Sequence, residues 1–486
     1  MRICFVYPDI GGVEHYGTRK YYHGIGYISS MLKGAGHETT LVYVQSEPDR
    51  AHFLAELETA RPDIVAFSST THQHPFIEQW AAWIKEVHPD WITVSGGTHP
   101  TLVPEEVISW PHLDFVCVGE GEYPMQDLAD RLEHGGDPTT IPNLWARRDE
   151  EFVRNPLRPL IADLDLLPFA DRELFDFDEI LRSNGGWVDM MAGRGCPYQC
   201  SYCCNPGLQQ RFRGLGKYVR FRSVSNVLAE IRSLTRRYPV RVLNFQDDVF
   251  TLDREWALEF CRAYMREFTL PFWINTRVER ISDEELVAAL AGAGCRGVRI
   301  GIESGNERLR AEILKRRMTN DQIRAAFRLL RRYGLETYTC NMIGIPGETP
   351  EMMAETVALN RELEPTDLQF SVFYPYPMTE LYRLSLEQGY LEEGAHLVSY
   401  YGRESVLRLP TMTKEDLARG YEEFERLKAD LRLKRSGGLK RWAYRLLRVL
   451  CGSNDKRMGA VLQVLGRMRG RVSRLVQTIR AALLGG

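Results

Sequence analysis

The sequence predicts an α/β protein built from two parallel-sheet units in tandem. The first is a doubly wound, Rossmann-like domain; the second is a partial (β/α)6 barrel, followed by a basic helical extension. Three observations predict this. Short β-branched or aromatic runs alternate with runs of apolar spacing near 3.6, which is the signature of parallel strands joined by helices. The alternation stops once, in a stretch rich in Pro, Asp and Arg, and then resumes. From Arg432 to Gly486 there are fourteen Lys or Arg and one acid, Asp455, which leaves the rest of the chain at −16 against an overall −3.

Residues 1–135 carry the strand-like runs "RICFVY", "TTLVYV", "DIVAFSS", "ITVSGG" and "DFVCVGEG". Between them, "IGYISSMLKGAG", "AHFLAELETA" and "PFIEQWAAWIKEVH" read as helices. A sheet of about five strands follows, with ligands expected at the strand carboxyl ends. Residues 136–186 ("NPLRPLIADLDLLPFADREL") read as a linker. Residues 187–400 resume with "WVDMMAG", "VRVLNF", "PFWINT", "RGVRIGIE", "ETYTCNMIGIP" and "LQFSVFYPY", six strands of an incomplete barrel. Among its helices, "SDEELVAALAGAG" opens on Ser282 and "TNDQIRAAFRLLRRYG" on Thr319 as N-cap candidates, and both end near Gly. Residues 401–486 form the extension, whose tail reads as two amphipathic helices broken near "GSND".

Bulk composition is that of an ordinary globular protein, with 44% hydrophobic and 26% charged residues. The start lacks a secretory pattern and no run of about 18 apolar residues occurs, so a cytoplasmic setting is expected. There, ten cysteines read as thiols or metal ligands rather than a disulfide framework. The basic tail has three readings: contact with an anionic membrane surface through 436–486, packing on the acidic body, or RNA contact. Nucleic acid ranks last, because no binding module or aromatic platform accompanies the charge.

Four cysteines fall within "GRGCPYQCSYCCNP", directly after the first strand of the second series. Cys196, Cys200 and Cys203 have the spacing C-x3-C-x2-C. A structural zinc site closes with four ligands, usually as two separated pairs, and no second pair follows here. Three thiolates suit a four-iron cluster with one iron left open. With "NFQDDVFT", "NTRVERI", "RIGIESGNERL" and "NMIGIPGET" following in order, the chain resembles the radical S-adenosylmethionine (SAM) enzymes over roughly residues 187–400.

That resemblance implies a 4Fe-4S cluster whose open iron chelates the amino and carboxylate groups of SAM. Reductive cleavage then yields a 5′-deoxyadenosyl radical, the electron coming from a donor such as flavodoxin or ferredoxin. Carried over by position, Cys196, Cys200 and Cys203 bind iron. Gln246, Asp247 and Asp248 face the methionine amino group; Arg277, Glu303 and Ser304 meet its carboxylate and the ribose. Tyr202 and the turn Ile345-Pro346-Gly347 pack against adenine. Each has a plainer alternative, such as a strand-end acid, a surface ion pair or a backbone turn.

In the first domain, "VSGGTHPTLVPEEV" and "DFVCVGEGEYP" stand out. A Gly-Gly after the fourth strand lets the backbone approach a bulky ligand. These segments, with "GIGYISSMLKGAGHE", resemble the cobalamin-binding domain of cobalamin-dependent radical SAM enzymes. Ser68, Ser69, Thr70 and Thr71, with Ser95, Gly96, Gly97 and Thr98, are then the contacts expected for the corrin and its nucleotide tail. No His has Asp two residues before it, so the Asp-x-His-x-x-Gly axial ligand is absent. His72, His74 and His99 lie close to these loops and read mainly as ordinary loop histidines.

The resemblance implies methyl transfer to an unactivated carbon of a small molecule, lipid-like or pigment-like. Three alternatives stay open: a cyclisation or rearrangement without methyl transfer, a methylthiotransferase, and a non-enzymatic cofactor binder. Tyr374, Tyr376, Tyr400 and Tyr401 are candidates to line a substrate pocket.

Overall fold

The computed structural model describes residues 1–10, 19–148, 151–391, 394–395 and 402–435. The chain divides into Met1–Phe424 and Glu425–Gly486, and both sheets lie in the first unit. The tail expected to form amphipathic helices over 436–486, and Tyr400 and Tyr401, lie outside the described residues.

The first sheet contains β1 (Arg2–Pro8), β2 (Glu38–Val44), β3 (Ile64–Ser68), β4 (Ile92–Gly96) and β5 (Phe115–Cys117), all parallel, in the order β2-β1-β3-β4-β5. The period-2 alternation of β1 sends Ile3, Phe5 and Tyr7 to one apolar layer and Cys4 and Val6 to the other. Helices His23–Gly34 and Glu122–Glu133 cover the first face; Arg50–Ala60 and His74–Val87 cover the second. Strand order reverses between β1 and β3, the switch point where open α/β sheets take ligands.

The expected linker is more than a connection. β6 (Leu144–Arg148) extends the first sheet antiparallel to its β5 edge, and β7 (Glu151–Arg154) pairs antiparallel with β6. Pairing with an existing edge makes strands of "LWARR" and "EFVR", whose local composition reads as loop.

The second sheet is β8 (Trp187–Met190), β11 (Val242–Phe245), β12 (Phe272–Thr276), β13 (Cys295–Glu303), β14 (Glu336–Ile343) and β15 (Asp367–Val372), parallel and paired in chain order. A short ribbon of β9 (Gly193–Arg194) and β10 (Arg220–Phe221) stands at its mouth. Outward-facing residues pack on helices: Val298 and Ile300 join the apolar cluster, and Thr339 Oγ1 donates to Asn360 Oδ1 of the helix Pro350–Leu363 at 2.6 Å. The alternate residues, among them Asp189, Arg299, Tyr338 and Cys340, are only half-buried and line the lumen.

Helix starts follow capping chemistry. Thr319 forms a full capping box with Gln322. Ser282 is not the cap of its helix. Asp283 is, accepting from Leu286 N, because Ser282 spends its hydroxyl on Glu279 O. Among the described residues, no helix is long and apolar enough to cross a membrane.

Candidate active site

The cysteine loop runs from β9 into the helix Asn205–Arg211. Cys196 and Cys200 are buried, Cys203 is half-buried, and none forms a disulfide. Donors point at the sulfurs: Arg277 Nη1 lies 3.4 Å from Cys200 Sγ, and Asn205 N and Nδ2 lie 3.5 Å from Cys203 Sγ. The hydrogen bond from Cys204 and those from Asn205 pull the Cys203 thiol below its ordinary range, against burial. Burial pushes Cys196 up to about 11. Three soft sulfurs from one loop, with N–H donors aimed at two of them, are a donor set that fits an iron–sulfur cluster.

Above the loop, β13 ends in a bulge. The register slips between Gly301 and Glu303, and Glu303 adopts φ +66°. Left-handed backbone at a Glu is costly and re-aims the side chain. Its carboxylate accepts from Tyr202 OH at 3.0 Å, and Arg316 Nη1 in turn donates to Tyr202 OH at 3.2 Å. Burial raises the Glu303 pKa, opposed by Arg316. Arg316 is buried, with its Nε lacking an acceptor, as is the Nε of Arg277. Tyr202 packs on the apolar cluster that contains Ile345. The turn at Ile345-Pro346-Gly347 is held from below by Glu348, whose Oε2 accepts from Gly344 N at 2.6 Å and Ile345 N at 3.2 Å.

The acidic motif divides its labour. Gln246 lines the cavity and donates to Asp189 Oδ1 at 3.0 Å. Asp248 accepts from Asn205 Nδ2 at 3.3 Å, beside the cysteine loop. Asp247 is buried and points elsewhere, accepting from Ala192 N at 3.1 Å and Gly193 N at 2.6 Å. Burial lifts it to about 7. Ser304 also turns away: it is fully buried, 3.4 Å from Thr356 Oγ1 on the outer helix, and caps Asn306 N.

Between the two sheets lies a cavity of about 540 Å³. One wall is the carboxyl edge of the first sheet, with Tyr7, Ser68, Gly96, Gly97 and Thr98; the other is Arg194, Gly195, Phe212, Tyr218 and Gln246 beside the cysteines. Gly97 has φ +103°, and a Cβ there would stand 2.7 Å from Ser69 O. Ser69 and Ser95 are buried with hydroxyls that lack partners. A glycine-walled cleft edged by Ser68 and Thr98, with the unpaired Ser69 and Ser95 hydroxyls buried behind that wall, fits a large flat ligand with a polar tail. Thr70 is occupied with Gln73 (2.9 and 3.1 Å), and Thr71 with His99 Nδ1 (3.3 Å).

Arg194, one residue before Gly195-Cys196, ties the walls together. It donates to Glu120 at 2.7 Å and Glu122 at 2.5 Å, and Arg220 joins Glu120 at 3.0 Å. Thus "GEGE", read from sequence as a cofactor loop, also grips the cysteine loop. Arg194, Asn205, Arg316 and Glu348 were missed by sequence reasoning; only the adjacency of Arg194 and Asn205 to the cysteine motif signalled them.

Near the first sheet, His74, His99 and Glu106 bring ligand atoms within 4.8 Å. The two imidazoles stack at 4.0 Å and 5°, however. An ion sits in the plane of each ring it binds, so parallel stacked rings do not chelate well. His72 Nε2 lies 3.1 Å from Tyr376 OH, and its ring packs on Tyr374 at 4.4 Å.

Residues 190–359 match the radical SAM superfamily and residues 13–129 match the B12 binding domain. An uncharacterized methyltransferase of Pyrococcus horikoshii, PH0819, is 27% identical over 82% of this chain and 85% of its own length. The anaerobic magnesium-protoporphyrin IX monomethyl ester cyclase of Rubrivivax gelatinosus is 28% identical over 79% of this chain and 70% of its own. The radical SAM methyltransferase TsrM of Kitasatospora setae shares the fold, with a TM-score of 0.66 and 21% identity over 80% of this chain and 76% of its own. The chain therefore carries a B12 binding domain followed by a radical SAM domain, and these imply cobalamin, a 4Fe-4S cluster and SAM as cofactors.

Proposed function

We propose that this enzyme is a C-methyltransferase acting on an unactivated carbon of a small molecule. The observation that carries the reading is a cavity walled by both the first sheet's carboxyl edge and Arg194-Gly195, the residues that lead into the cysteine loop. When bound, a cluster on the three cysteines would supply the electron for SAM cleavage, and cobalamin in the cavity would supply a transferable methyl group.

Cys196, Cys200 and Cys203 would hold iron, with Arg277 and Asn205 donating to sulfur. Tyr202, Glu303, Arg316, Gln246, Asp248 and the Ile345-Pro346-Gly347 turn would bind SAM. Asp247 and Ser304 would act one step back, as supports of the loops beside them. Ser68, Ser69, Ser95, Gly96, Gly97 and Thr98 would receive the corrin and its tail, with Thr70 and Thr71 shaping the loop. Tyr7, Tyr22 and Phe212 give the cavity aromatic walls that exclude water, which keeps a reactive radical from side reactions.

A flavodoxin or ferredoxin in the reducing cytoplasm would deliver the electron. The +13 tail would dock on an anionic membrane surface if the substrate is lipid-like or pigment-like. A second reading, cyclisation without methyl transfer, is favoured by the likeness to the Rubrivivax cyclase. Methylthiotransfer is disfavoured: Cys4 on β1 and Cys117 on β5 stand three strand spacings apart, about 14 Å, too far to share a second cluster.

Anaerobic reconstitution with iron, sulfide and hydroxocobalamin tests the proposal. Corrin bands, about four irons per chain, 5′-deoxyadenosine and a product heavier by one methylene are expected. A product without that gain supports the cyclase reading; no 5′-deoxyadenosine overturns both.

A further inference from the structure

The barrel lumen contains a cation with no carboxylate in direct contact among the described residues. Arg299 projects from the middle of β13 into the lumen, on the face opposite Val298 and Ile300. Its one hydrogen bond runs from Nη1 to Asn244 Oδ1 at 2.5 Å. Among the described residues, no carboxylate lies within ion-pair distance of it. Nε and Nη2 remain unspent, in a residue that is neither sealed in the core nor fully in solvent. Burial draws its pKa below the ordinary arginine value, a sign that the surroundings solvate this charge poorly.

The neighbours form a cradle. The guanidinium carbon sits 5.1 Å from the Trp273 ring centroid and 5.9 Å from that of Tyr338. Trp187 lies 6.0 Å from Trp273. The Trp273 indole N–H is itself buried without an acceptor. Gly297 leaves room for this ring, since a Cβ there would meet Trp273 Cη2 at 2.6 Å. Two kinds of donor therefore converge on aromatic walls, and Asp189, the carboxylate whose charge acts on Arg299, is reached only through Asn244.

A polar bridge connects this spot to the central cavity. Asn244 Nδ2 donates to Asp189 Oδ1 at 2.6 Å, Gln246 donates to the same oxygen, and both Asp189 and Gln246 line the cavity. Asn244 thus holds Arg299 on one side and Asp189 on the other. A molecule anchored at Arg299 would extend its far end toward the cavity between the sheets.

We infer that Arg299 is the substrate-recognition residue for an anionic group, a carboxylate or a phosphate, on a substrate whose apolar part stacks on Trp273 and Tyr338. This rests on the methyltransferase or cyclase reading of the same site and adds its substrate class. A guanidinium pairs with either oxyanion through parallel hydrogen bonds, and stacking on an aromatic ring leaves its donor edge available. A wholly uncharged hydrocarbon would bury the unpaired charge and gain nothing from it.

The test is equilibrium binding, without turnover, to the reconstituted holoenzyme. The probes are 3-phenylpropionate, phenyl phosphate and the neutral 3-phenylpropionamide, titrated calorimetrically at low and high salt. The acids should bind about tenfold or more tighter than the amide, and the tighter acid identifies carboxylate or phosphate as the natural group. Arg299→Gln should erase the difference while iron content and the corrin spectrum stay unchanged. Arg299→Lys should keep a reduced preference, and it decides the matter if the Gln variant fails to take up cofactors. Equal binding of acid and amide, a preference that survives Arg299→Gln, or no binding at millimolar concentration overturns the proposal. Cofactor cleavage is measured separately by 5′-deoxyadenosine release, so the anion site can fail while the enzymatic reading stands.

Discussion

Beside the cysteine loop the charged groups Arg277, Arg316 and Asp247 are already matched within the chain, whereas on the sheet side the cavity wall is rings and glycine backbone. Arg277 pairs with Glu279 at 2.7 Å, Arg316 with Tyr202 and Glu303, and Asp247 with two backbone N–H groups. Opposite them, Gly97 leaves a gap that a Cβ would close, and behind that wall the buried Ser69 and Ser95 hydroxyls have no partners. The difference teaches how the two proposed cofactor regions are built. One is electrostatically preorganised before any ligand arrives; the other is a shape completed by its ligand.

The largest test removes a sulfur. Cys200→Ala should abolish 5′-deoxyadenosine formation while corrin uptake, read from visible absorbance, is unchanged; loss of both would break the separation between the two sides. Arg194→Met comes next, because it removes the bridge between them. It leaves Glu122, only 3% exposed, without its cation, which should cost about 3 kcal/mol in chemical unfolding. It should also lower product formed per SAM cleaved, since the two walls lose their common anchor. Gly97→Ala forces a side chain onto Ser69 O at positive φ, with an expected cost of about 1–3 kcal/mol. Corrin uptake should fall at least tenfold in that variant with iron content retained.

Glu348 offers a test by pH. Burial raises its folded pKa from 4.5 to about 8, against the pull of the Gly344 and Ile345 amides. Below 4.5 both states hold the proton; above it the unfolded chain releases the proton while the fold keeps it. This group's contribution therefore falls as pH rises from about 4.5 to about 8, by at most about 1.4 kcal/mol per pH unit. Glu348→Gln should flatten the unfolding midpoint across that window; an unchanged slope breaks the account. The smallest effect belongs to Ser69→Ala. Its hydroxyl has no partner to lose, so stability without cofactors should change by less than about 0.5 kcal/mol. Cobalamin affinity should still drop a few-fold, which would sharpen the view that this side awaits its ligand.

Much of this was legible before any coordinates. The eleven main strands stand where the alternating runs lie, because period 2 against period 3.6 is a local property of the chain. Cys196, Cys200 and Cys203 were legible because short spacing alone brings sulfurs into one loop. β6 and β7 were not: their strand character comes from an edge supplied by β5. Asp247 sits in the motif's register yet serves the backbone of Ala192 and Gly193, a choice made by side-chain direction. Arg316 lay hidden in "LKRRM", which by composition reads as a solvated surface run. Its burial beside Tyr202 depends on contact across more than a hundred residues.

Neighbours a few residues apart fix the two sheets, their order along the chain and the three-cysteine loop, so these could be read from sequence. Only the tertiary fold sets which charges are matched, which wall stays open and that Arg299 faces an aromatic lumen with no carboxylate in direct contact among the described residues. Those outcomes depend on distances between residues far apart in the chain, and pairing energies in a low-dielectric interior are set by distance and burial rather than by residue type.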